Sequence, residues 1–216
     1  MSREKIVSYL LMFSGLWIGL SCSSEETTVN NKVSAAEQTN DQLKVICLGD
    51  GITAGVNLSP EEAYPKVLEK LLGEQGKLAK VVNAGIKGET MAQGNARVEW
   101  LLQQRFQVFV LALGWEDLQG GVAVASVQKE LRQLCQKLAY KAPDAQVIII
   151  PPPLNTTQMG WEESFRELAD SFEYQVMPHP LLPPSSVPDY WQAAGDYPTA
   201  EGQQLIAQRL AEIIIH

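Results

Sequence analysis

The chain has 216 residues, of which 45% are hydrophobic and 19% charged. This mix is that of an ordinary globular protein, and the length indicates one domain plus a tail. The formal net charge is -8, and the chain has no basic block of the kind that nucleic-acid binding needs. We therefore exclude nucleic acid as a partner.

The N-terminus predicts a secretory signal that carries a lipid attachment site. Arg3 and Lys5 supply a basic start, residues 6–20 are apolar, and Ser21 and Cys22 follow. This is the layout of a secretory signal, and the apolar run is short for a stable transmembrane span. A cysteine directly after a small residue resembles the bacterial lipobox, in which the cysteine is lipidated on its thiol and becomes the new N-terminus.

The predicted organisation has three parts. Residues 1–21 form a lipoprotein signal peptide, residues 22–42 a flexible tether rich in Ser, Thr, Asn and Glu, and residues 43–216 the folded domain. A lipid anchor at Cys22 attaches the exported protein to a membrane of the bacterial cell envelope, on its periplasmic or surface face. Gly19 stands where the lipobox prefers Leu, so an uncleaved anchor and a plain secretory signal with an incidental cysteine stay open as alternatives.

Short apolar runs and helical segments alternate along the predicted domain. The runs are continuous, as expected for parallel strands that are buried on both faces. Cys47 lies in one run and Cys135 in a helical pattern, so we expect two buried thiols rather than a disulfide. The four runs, followed by a weaker fifth candidate, are Lys44–Leu48, Lys80–Asn83, Val108–Leu113, Val147–Ile150 and Tyr174–Met177.

The segments between the runs have helical spacing. Apolar residues recur every three or four positions over 124–138 and again over 205–213, and Thr199, after Pro198, is a candidate N-cap for the last helix. Residues 177–188 contain five prolines and predict an irregular rim. Strand–helix alternation of this kind predicts right-handed βαβ units and an α/β fold, a three-layer α/β/α sandwich with a central parallel sheet of about five strands.

Four segments hold the residues that resemble a known family. In such a sheet, ligands bind beyond the carboxyl ends of the strands. The segments Gly49–Gly55, Asn83–Thr90 and Leu113–Asp117 follow the first three runs, and Ala194–Gly202 leads into the last helix. In this order they resemble the four blocks of the SGNH (GDSL-type) hydrolases, and above all their arylesterase, lysophospholipase and thioesterase branch. The resemblance covers roughly residues 43–214 and implies the flavodoxin-like fold of that family.

The resemblance also implies a mechanism. In the family, the first block reads G-D-S, and its serine is the nucleophile. The second block carries a glycine whose backbone N–H helps to form the oxyanion hole, and the third carries an asparagine that donates to the same oxyanion. The last block reads D-x-x-H-P, with histidine as the general base and aspartate as the group that orients it. This resembles a serine-protease triad on another scaffold, which needs neither a cofactor nor a metal.

Most of the positions that would carry this chemistry hold other residues. Gly51 stands at the nucleophile position and has no side chain, and Ala194 stands at the position of the orienting aspartate. Glu116 replaces the asparagine, and an ionised carboxylate accepts hydrogen bonds but does not donate them. Tyr197 replaces the histidine, and a phenol with a pKa of about 10 is a poor base at neutral pH. Of this set, only Gly88 is kept.

The residues that shape turns and helix starts still match the family. Glycines at strand-to-helix turns meet backbone demands that other residues cannot meet. The scaffold residues therefore persist where the chemical ones do not. The matching positions are Asp50, Gly55, Asn83, Gly88, Thr90, Gly114, Asp117, Pro198 and Gly202.

Few side chains are available as substitutes for the missing groups. Thr53 follows Gly51 by two residues, and for it we favour a local cap or backbone hydrogen bond over a nucleophilic role. Ser59 lies in a loop and has no special context. Of the two histidines, His216 ends the chain. His179 follows the fifth run and is a candidate binding residue of the cleft, although we favour a packing or surface role.

Four acids could instead converge at the strand ends. Paired carboxylates can perform acid–base chemistry or hold a divalent cation. However, Asp50 and Asp117 match structural positions of the family, so only Glu116 and Asp196 are new. We therefore expect no metal and no hydrolytic carboxylate site here.

Two further residues are candidates for binding. Trp115 stands where the family has glycine, and it either forms an aromatic platform for a sugar or an acyl chain, with Trp161 and Trp191 on the same rim, or fills the vacated pocket. Lys87 precedes the retained Gly88 and could pair with Glu116 across the old site.

Three functional hypotheses follow. The leading one is a catalytically inactive envelope lipoprotein with a binding or accessory role, whose partner is an acyl or glycan ligand or an envelope protein. The second is an active esterase or acylhydrolase with a remodelled site. The third is a purely structural envelope protein.

Overall fold

Five parallel strands form one sheet, in the order β2-β1-β3-β4-β5. The computed structural model describes residues 42–154, 159–181 and 183–215. The predicted signal peptide, Cys22, nearly all of the tether and His216 lie outside the described residues. The strands are β1 (Leu43–Gly49), β2 (Ala79–Gly85), β3 (Val108–Ala112), β4 (Gln146–Ile149) and β5 (Gln175–Val176).

Helices connect the strands, as the alternating pattern predicted. In the part of the chain that the structure describes, no helix is both long and apolar enough to cross a membrane. The helices are α1 (Gly51–Ala54), α2 (Tyr64–Glu74), α3 (Met91–Leu101), α4 (Trp115–Gln119), α5 (Val124–Lys141), α6 (Met159–Ser171) and α7 (Ala200–Ile215), with a short 3-10 helix at Pro188–Tyr190.

The sheet separates two apolar layers. Successive strand residues point to opposite faces, so Val45 and Cys47 pack with α2 and α7 on one face, while Ile46 and Leu48 pack with α3, α5 and α6 on the other. The three-layer α/β/α sandwich is therefore confirmed. Both Cys47 and Cys135 are buried free thiols, and burial raises the pKa of each to about 12.

The strand bounds differ slightly from the predicted ones. The fifth strand is limited to Gln175–Val176, because prolines follow it and a proline has no N–H to donate to a sheet. The last helix buries Ile206, Leu210 and Ile214, so its buried stripe is shifted from the predicted one. Thr199 accepts a hydrogen bond from the backbone N–H of Gly202 at 3.3 Å, as the predicted N-cap requires.

Close packing of α1 on the strand ends positions the candidate site. A Cβ atom at Gly49 would lie 2.0 Å from the Thr53 hydroxyl oxygen, and a Cβ atom at Gly85 would lie 2.3 Å from the backbone nitrogen of Ala54. Both glycines are therefore required by the approach of α1. The first turn after β1 is thereby fixed against the end of β2.

Candidate functional site

Asp50 ties the end of β1 to the start of α4. Its carboxylate accepts hydrogen bonds from the backbone N–H groups of Ile52, at 3.0 Å, and of Trp115, at 3.1 Å. Desolvation by burial raises the pKa of Asp50 to about 7 in spite of these two donors. Asp50 thus joins the first and the third of the four blocks, which is a structural role.

Gly51 is buried against the ring of Tyr197. A Cβ atom added to Gly51 would lie 2.2 Å from Tyr197 Cε1 and 2.9 Å from the Tyr197 hydroxyl oxygen. Non-bonded carbon atoms pack at about 3.5 to 4 Å, so residue 51 has no room for a side chain while Tyr197 holds this position. The resemblance assigns residue 51 to the nucleophile and residue 197 to the general base. Tyr197 therefore fills the space that a side chain at residue 51 would need.

The carboxylate of Glu116 lies at the backbone N–H of Gly88. That N–H donates to Glu116 Oε1 at 3.3 Å, and the hydroxyl of Tyr197 donates to the same oxygen at 2.8 Å. Gly88 has a φ of 78°, which glycine adopts without the steric cost that a Cβ atom brings. The N–H that the resemblance assigns to an oxyanion hole therefore binds a carboxylate of the chain itself.

The phenol of Tyr197 is held in its protonated form. Desolvation, together with the hydrogen bond to Glu116 and the negative charge of that carboxylate, raises the pKa of Tyr197 well above its ordinary value. The phenol therefore neither acts as a base nor ionises to a nucleophile near neutral pH. Its remaining function in this arrangement is to donate one hydrogen bond and to fill space.

The expected pairing of Lys87 with Glu116 is wrong. Both residues are described, and no ion pair joins them, because Glu116 is bonded to Tyr197 and Gly88 instead. Lys87 is exposed, and its Nζ lies 6.0 Å from the centroid of the Tyr197 ring. A cation at this distance from a ring face is attracted by it, so Lys87 lies over the closed site rather than within it.

Trp115 is buried beneath the segment that precedes α7. Its indole nitrogen donates to the backbone carbonyl of Asp196 at 2.7 Å, and its ring centroid lies 5.3 Å from that of Trp191. Only 5% of Trp115 is exposed. The arrangement favours the alternative in which this side chain fills the vacated pocket, because an aromatic platform would need a free ring face. Trp161 packs elsewhere, against Phe165.

Ala194 and Asp196 lie in an exposed turn. The turn closes through Gly195, which has a φ of 73° and whose N–H donates to the carbonyl of Gln192 at 2.7 Å. Both Ala194 and Asp196 are exposed. The methyl group of Ala194 cannot orient a neighbour by hydrogen bonding, and Asp196 contributes its backbone carbonyl to the packing of Trp115.

His179 lies near the strand ends as a neutral ring. Its Nδ1 accepts a hydrogen bond from the backbone N–H of Leu181 at 3.1 Å, and desolvation lowers its pKa to about 4. With Asp50 and Trp115 it lines a void of about 10 Å³, which is close to the space that one water molecule needs. A second cavity, of about 180 Å³, lies between His179 and Glu162.

The two candidate hydroxyl nucleophiles are engaged in other contacts. Thr53 is fully buried, and its hydroxyl lies 3.0 Å from the phenol oxygen of Tyr64. The Thr53 hydroxyl is therefore bonded to the Tyr64 side chain, and not to the backbone group that we expected. The hydroxyl of Ser59 donates to the Glu62 carboxylate at 2.7 Å. Neither contact supplies a base of suitable pKa, which nucleophilic activation requires.

The acids at the strand ends bind backbone groups. Asp117 accepts a hydrogen bond from the backbone N–H of Met91 at 2.7 Å and so fixes the start of α3. Asp50 has the two backbone partners given above. Among the described residues, no three side chains of His, Cys, Asp or Glu are grouped in a way that could hold a metal ion.

The sequence analysis missed the contacts of two buried polar residues around the site, Gln203 and Glu89. Gln203 is fully buried, accepts from the backbone N–H of Tyr64 at 2.9 Å, and donates to the carbonyl of Ile52 at 2.8 Å. Glu89, next to Gly88, is buried and paired with Arg97. Gln203 could have been found, because it is a glutamine in an otherwise apolar helix stripe. No local sequence pattern marks the pair of Glu89 and Arg97.

Comparison with known sequences places these features in context. The model of the GDSL-like lipase/acylhydrolase family matches residues 47–205. The arylesterase of Vibrio mimicus is 28% identical over 187 residues, which cover 85% of this chain and 92% of that protein. The thioesterase 1/protease 1/lysophospholipase L1 of Escherichia coli K12 is 31% identical over 173 residues, which cover 78% of this chain and 81% of that protein.

Solved structures share the same fold. The psychrotrophic esterase EstA from Pseudoalteromonas sp., inhibited by monoethylphosphonate, superimposes with a TM-score of 0.69 at 23% identity, over 80% of this chain and 96% of that one. The crystal structure of TesA gives a TM-score of 0.68 at 25% identity, over 79% of this chain and 97% of that one.

Proposed function

Because the chain belongs to the GDSL-like lipase/acylhydrolase family, we propose that it is a catalytically inactive member, a lipoprotein of the bacterial cell envelope with a binding or accessory role. One observation carries the loss of activity. The ring of Tyr197 lies where a side chain at residue 51 would have to begin, 2.2 Å from the position of that Cβ atom. Glycine at residue 51 and tyrosine at residue 197 therefore depend on each other, because the Tyr197 ring fits only where residue 51 has no side chain.

The site also lacks a means to stabilise an oxyanion. Glu116 Oε1 accepts the hydrogen bond from the backbone N–H of Gly88. The charge of the carboxylate repels the negative charge that develops during acyl transfer. Loss of one oxyanion donor alone lowers the rate roughly a hundred- to a thousandfold. A substrate carbonyl would have to displace Glu116 and Tyr197 together before it reached Gly88.

The old cleft is closed to ligands of ordinary size. Trp115 is buried against Trp191, and the two cavities that His179 lines have volumes of about 10 and about 180 Å³. Ligand sites in proteins have volumes of about 300 to 1,000 Å³. The binding or accessory role therefore uses the outer surface of the domain, and an envelope protein is favoured as a partner over an acyl or glycan ligand in the cleft.

The envelope location rests on the sequence. The basic start, the apolar run and Cys22 support export and lipidation. Fractionation of cells tests this part separately. The wild-type chain is expected in the membrane fraction, and a Cys22→Ser variant is expected to be released from it. Equal distribution of the two proteins would overturn the lipid anchor.

The activity is tested with a fluorophosphonate probe and with hydrolysis of p-nitrophenyl butyrate. The purified wild-type protein is expected to show neither labelling nor turnover. The matched positive control is a variant in which Gly51→Ser, Trp115→Gly, Glu116→Asn, Ala194→Asp and Tyr197→His restore the family residues. The probe is expected to label this variant at residue 51. A second variant that keeps Glu116 but carries the other changes is expected to hydrolyse the ester roughly a hundred- to a thousandfold more slowly.

Turnover by the wild-type protein that survives purification to homogeneity would contradict inactivity and support the alternative of an active esterase. Variants Thr53→Ala, Glu116→Gln and His179→Gln then locate the site, because an activity that none of them changes does not come from this cleft. Thermal shift measurements with acyl and glycan panels separate a binder from a purely structural protein, since a ligand that prefers the folded state raises its stability.

A further inference from the structure

Three large apolar side chains are exposed at the end of the sheet where the strands begin. Leu78 directly precedes β2, Trp100 lies in the last turn of α3, and Tyr140 lies in the last turn of α5. Their exposed fractions are 52%, 66% and 80%, the three largest among the large apolar side chains in the described part of the chain. We call these three residues the apolar edge.

Trp100 and Tyr140 belong to neighbouring helices. An ion pair between Glu99 and Lys137, with 3.6 Å between the charged atoms, joins α3 to α5. Trp100 directly follows Glu99, and Tyr140 lies almost one helical turn beyond Lys137. Both rings therefore extend from the same end of the same layer.

Basic side chains lie at or just beyond the ends of the same two helices. The Nζ atom of Lys141 lies 5.4 Å from the centroid of the Tyr140 ring. A cavity of about 370 Å³ lies between the ends of the two helices, and its lining includes Arg105, Phe106, Lys141 and one acid, Asp144. An exposed aromatic ring beside a basic side chain is the combination that suits the boundary between lipid headgroups and acyl chains.

We propose that the apolar edge rests on the surface of a phospholipid bilayer. Trp100 and Tyr140 enter the headgroup layer, and Arg105 and Lys141 meet lipid phosphates at the mouth of the cavity. The formal net charge of the whole chain is -8, so contact by this edge, rather than attraction by overall charge, holds the surface in place. This inference rests on the lipid anchor of the proposed function.

The connection of the domain to its anchor favours this orientation. The sheet receives the chain at Leu43, the first residue of β1, which lies at the strand-start end with Leu78, since the N–H of Leu43 donates to the carbonyl of Leu78 at 2.9 Å. The tether predicted for residues 22–42 has 21 residues, and a flexible chain of that length spans about 25 Å on average. Such a link gives a surface contact an effective concentration in the millimolar range, so weak binding suffices.

Quenching by brominated lipid tests the proposal on the full chain. The wild-type protein and a Trp100→Phe variant are reconstituted in vesicles of phosphatidylethanolamine and phosphatidylglycerol, with and without brominated phosphatidylcholine. The difference in tryptophan fluorescence between the two proteins isolates Trp100. We expect brominated lipid to cause a loss of this difference signal. Trp161→Phe is the matched control, because Trp161 is buried, and its removal should leave the quenching unchanged.

An unquenched Trp100 in vesicle-bound protein would overturn the proposal. If the chain then sediments as a dimer that Trp100→Ser dissociates, the apolar edge is instead a contact between copies of the chain. Fractionation of the Cys22→Ser variant distinguishes this failure from failure of the anchor. A chain that proves to have no anchor is mixed with the same vesicles directly, and absence of quenching there overturns the proposal as well.

Discussion

The turn after β1 and the segment before α7 contribute unequally to the fold and to the loss of chemistry that we propose. In the first, Asp50 bonds to the backbone of two segments, and Gly49 admits α1 at close range. In the second, Ala194 is exposed, and Tyr197 turns inward against Gly51. In the first region Asp50 and Gly55 match the family pattern and Gly51 stands at the nucleophile position, whereas in the second Ala194 and Tyr197 stand at the positions of both chemical residues.

This difference separates two kinds of constraint within one family site. Asp50 and Asp117 bond to backbone N–H groups of this chain, so the fold needs them whether or not the site is active. Glu116 meets a backbone N–H only at the longer distance of 3.3 Å, at Gly88, and the hydroxyl of Tyr197 bonds to Glu116. Under the proposed inactivity no catalytic requirement acts on these two positions, and Glu116 and Tyr197 bond to one another at 2.8 Å.

The largest expected effect concerns Trp115. Trp115→Ala removes a buried indole and leaves a cavity, which should lower the free energy of unfolding by about 3 to 5 kcal/mol. Trp100→Ala is the matched control, because Trp100 is exposed, and it should change stability by less than about 0.5 kcal/mol. Urea denaturation measures both. Similar small effects for the two variants would mean that Trp115 lines an open cleft instead of filling it.

The second prediction concerns the pH dependence of stability through Asp50. Its pKa is about 7 in the folded protein and about 4 in an unfolded chain. The folded state therefore binds more protons than the unfolded state between these pH values, so the free energy of unfolding falls as pH rises from about 4 to about 7. The loss that this one carboxyl can cause is at most about 4 kcal/mol.

Asp50→Asn removes this titration and should flatten the decline. Urea denaturation at several pH values, for the wild type and the variant, gives the difference. His179 acts in the opposite sense, since its lowered pKa makes stability rise as pH increases from about 4 to about 6.5, but both proteins retain it. Parallel pH profiles of the two proteins would contradict a raised pKa at Asp50.

Sequence patterns predicted the scaffold well because local signals specify it. Continuous apolar runs gave the strands, and the order of four glycine-rich segments gave the family. The same patterns could not predict that Glu116 bonds to Gly88 and Tyr197 rather than to Lys87. That choice depends on which donors three separate loops bring together, and a geometry of this kind has no periodicity in the chain.

The third prediction tests the coupling of Gly51 to Tyr197. Gly51→Ser forces atoms into the volume of the Tyr197 ring and should destabilise the protein by about 1 to 3 kcal/mol. Gly73→Ser is the control, because a Cβ atom there meets nothing within 4 Å, and serine is a better helix former than glycine. In a Tyr197→Ala background, the cost of Gly51→Ser should vanish. Additive effects of the two changes would show that the residues do not share this space.

The smallest effect isolates the hydrogen bond that closes the site. Tyr197→Phe keeps the ring but removes the donor to Glu116, and it should lower the free energy of unfolding by about 1 kcal/mol. A double-mutant cycle with Glu116→Ala, which removes the acceptor, should give a coupling energy of about 0.5 to 1.5 kcal/mol, whereas Tyr140→Phe, at an exposed ring, should have no effect. A coupling energy of zero would mean that the ring alone closes the site. In that case Glu116 is retained for its contact with Gly88, and the repacked segment is held by shape rather than by polar bonding.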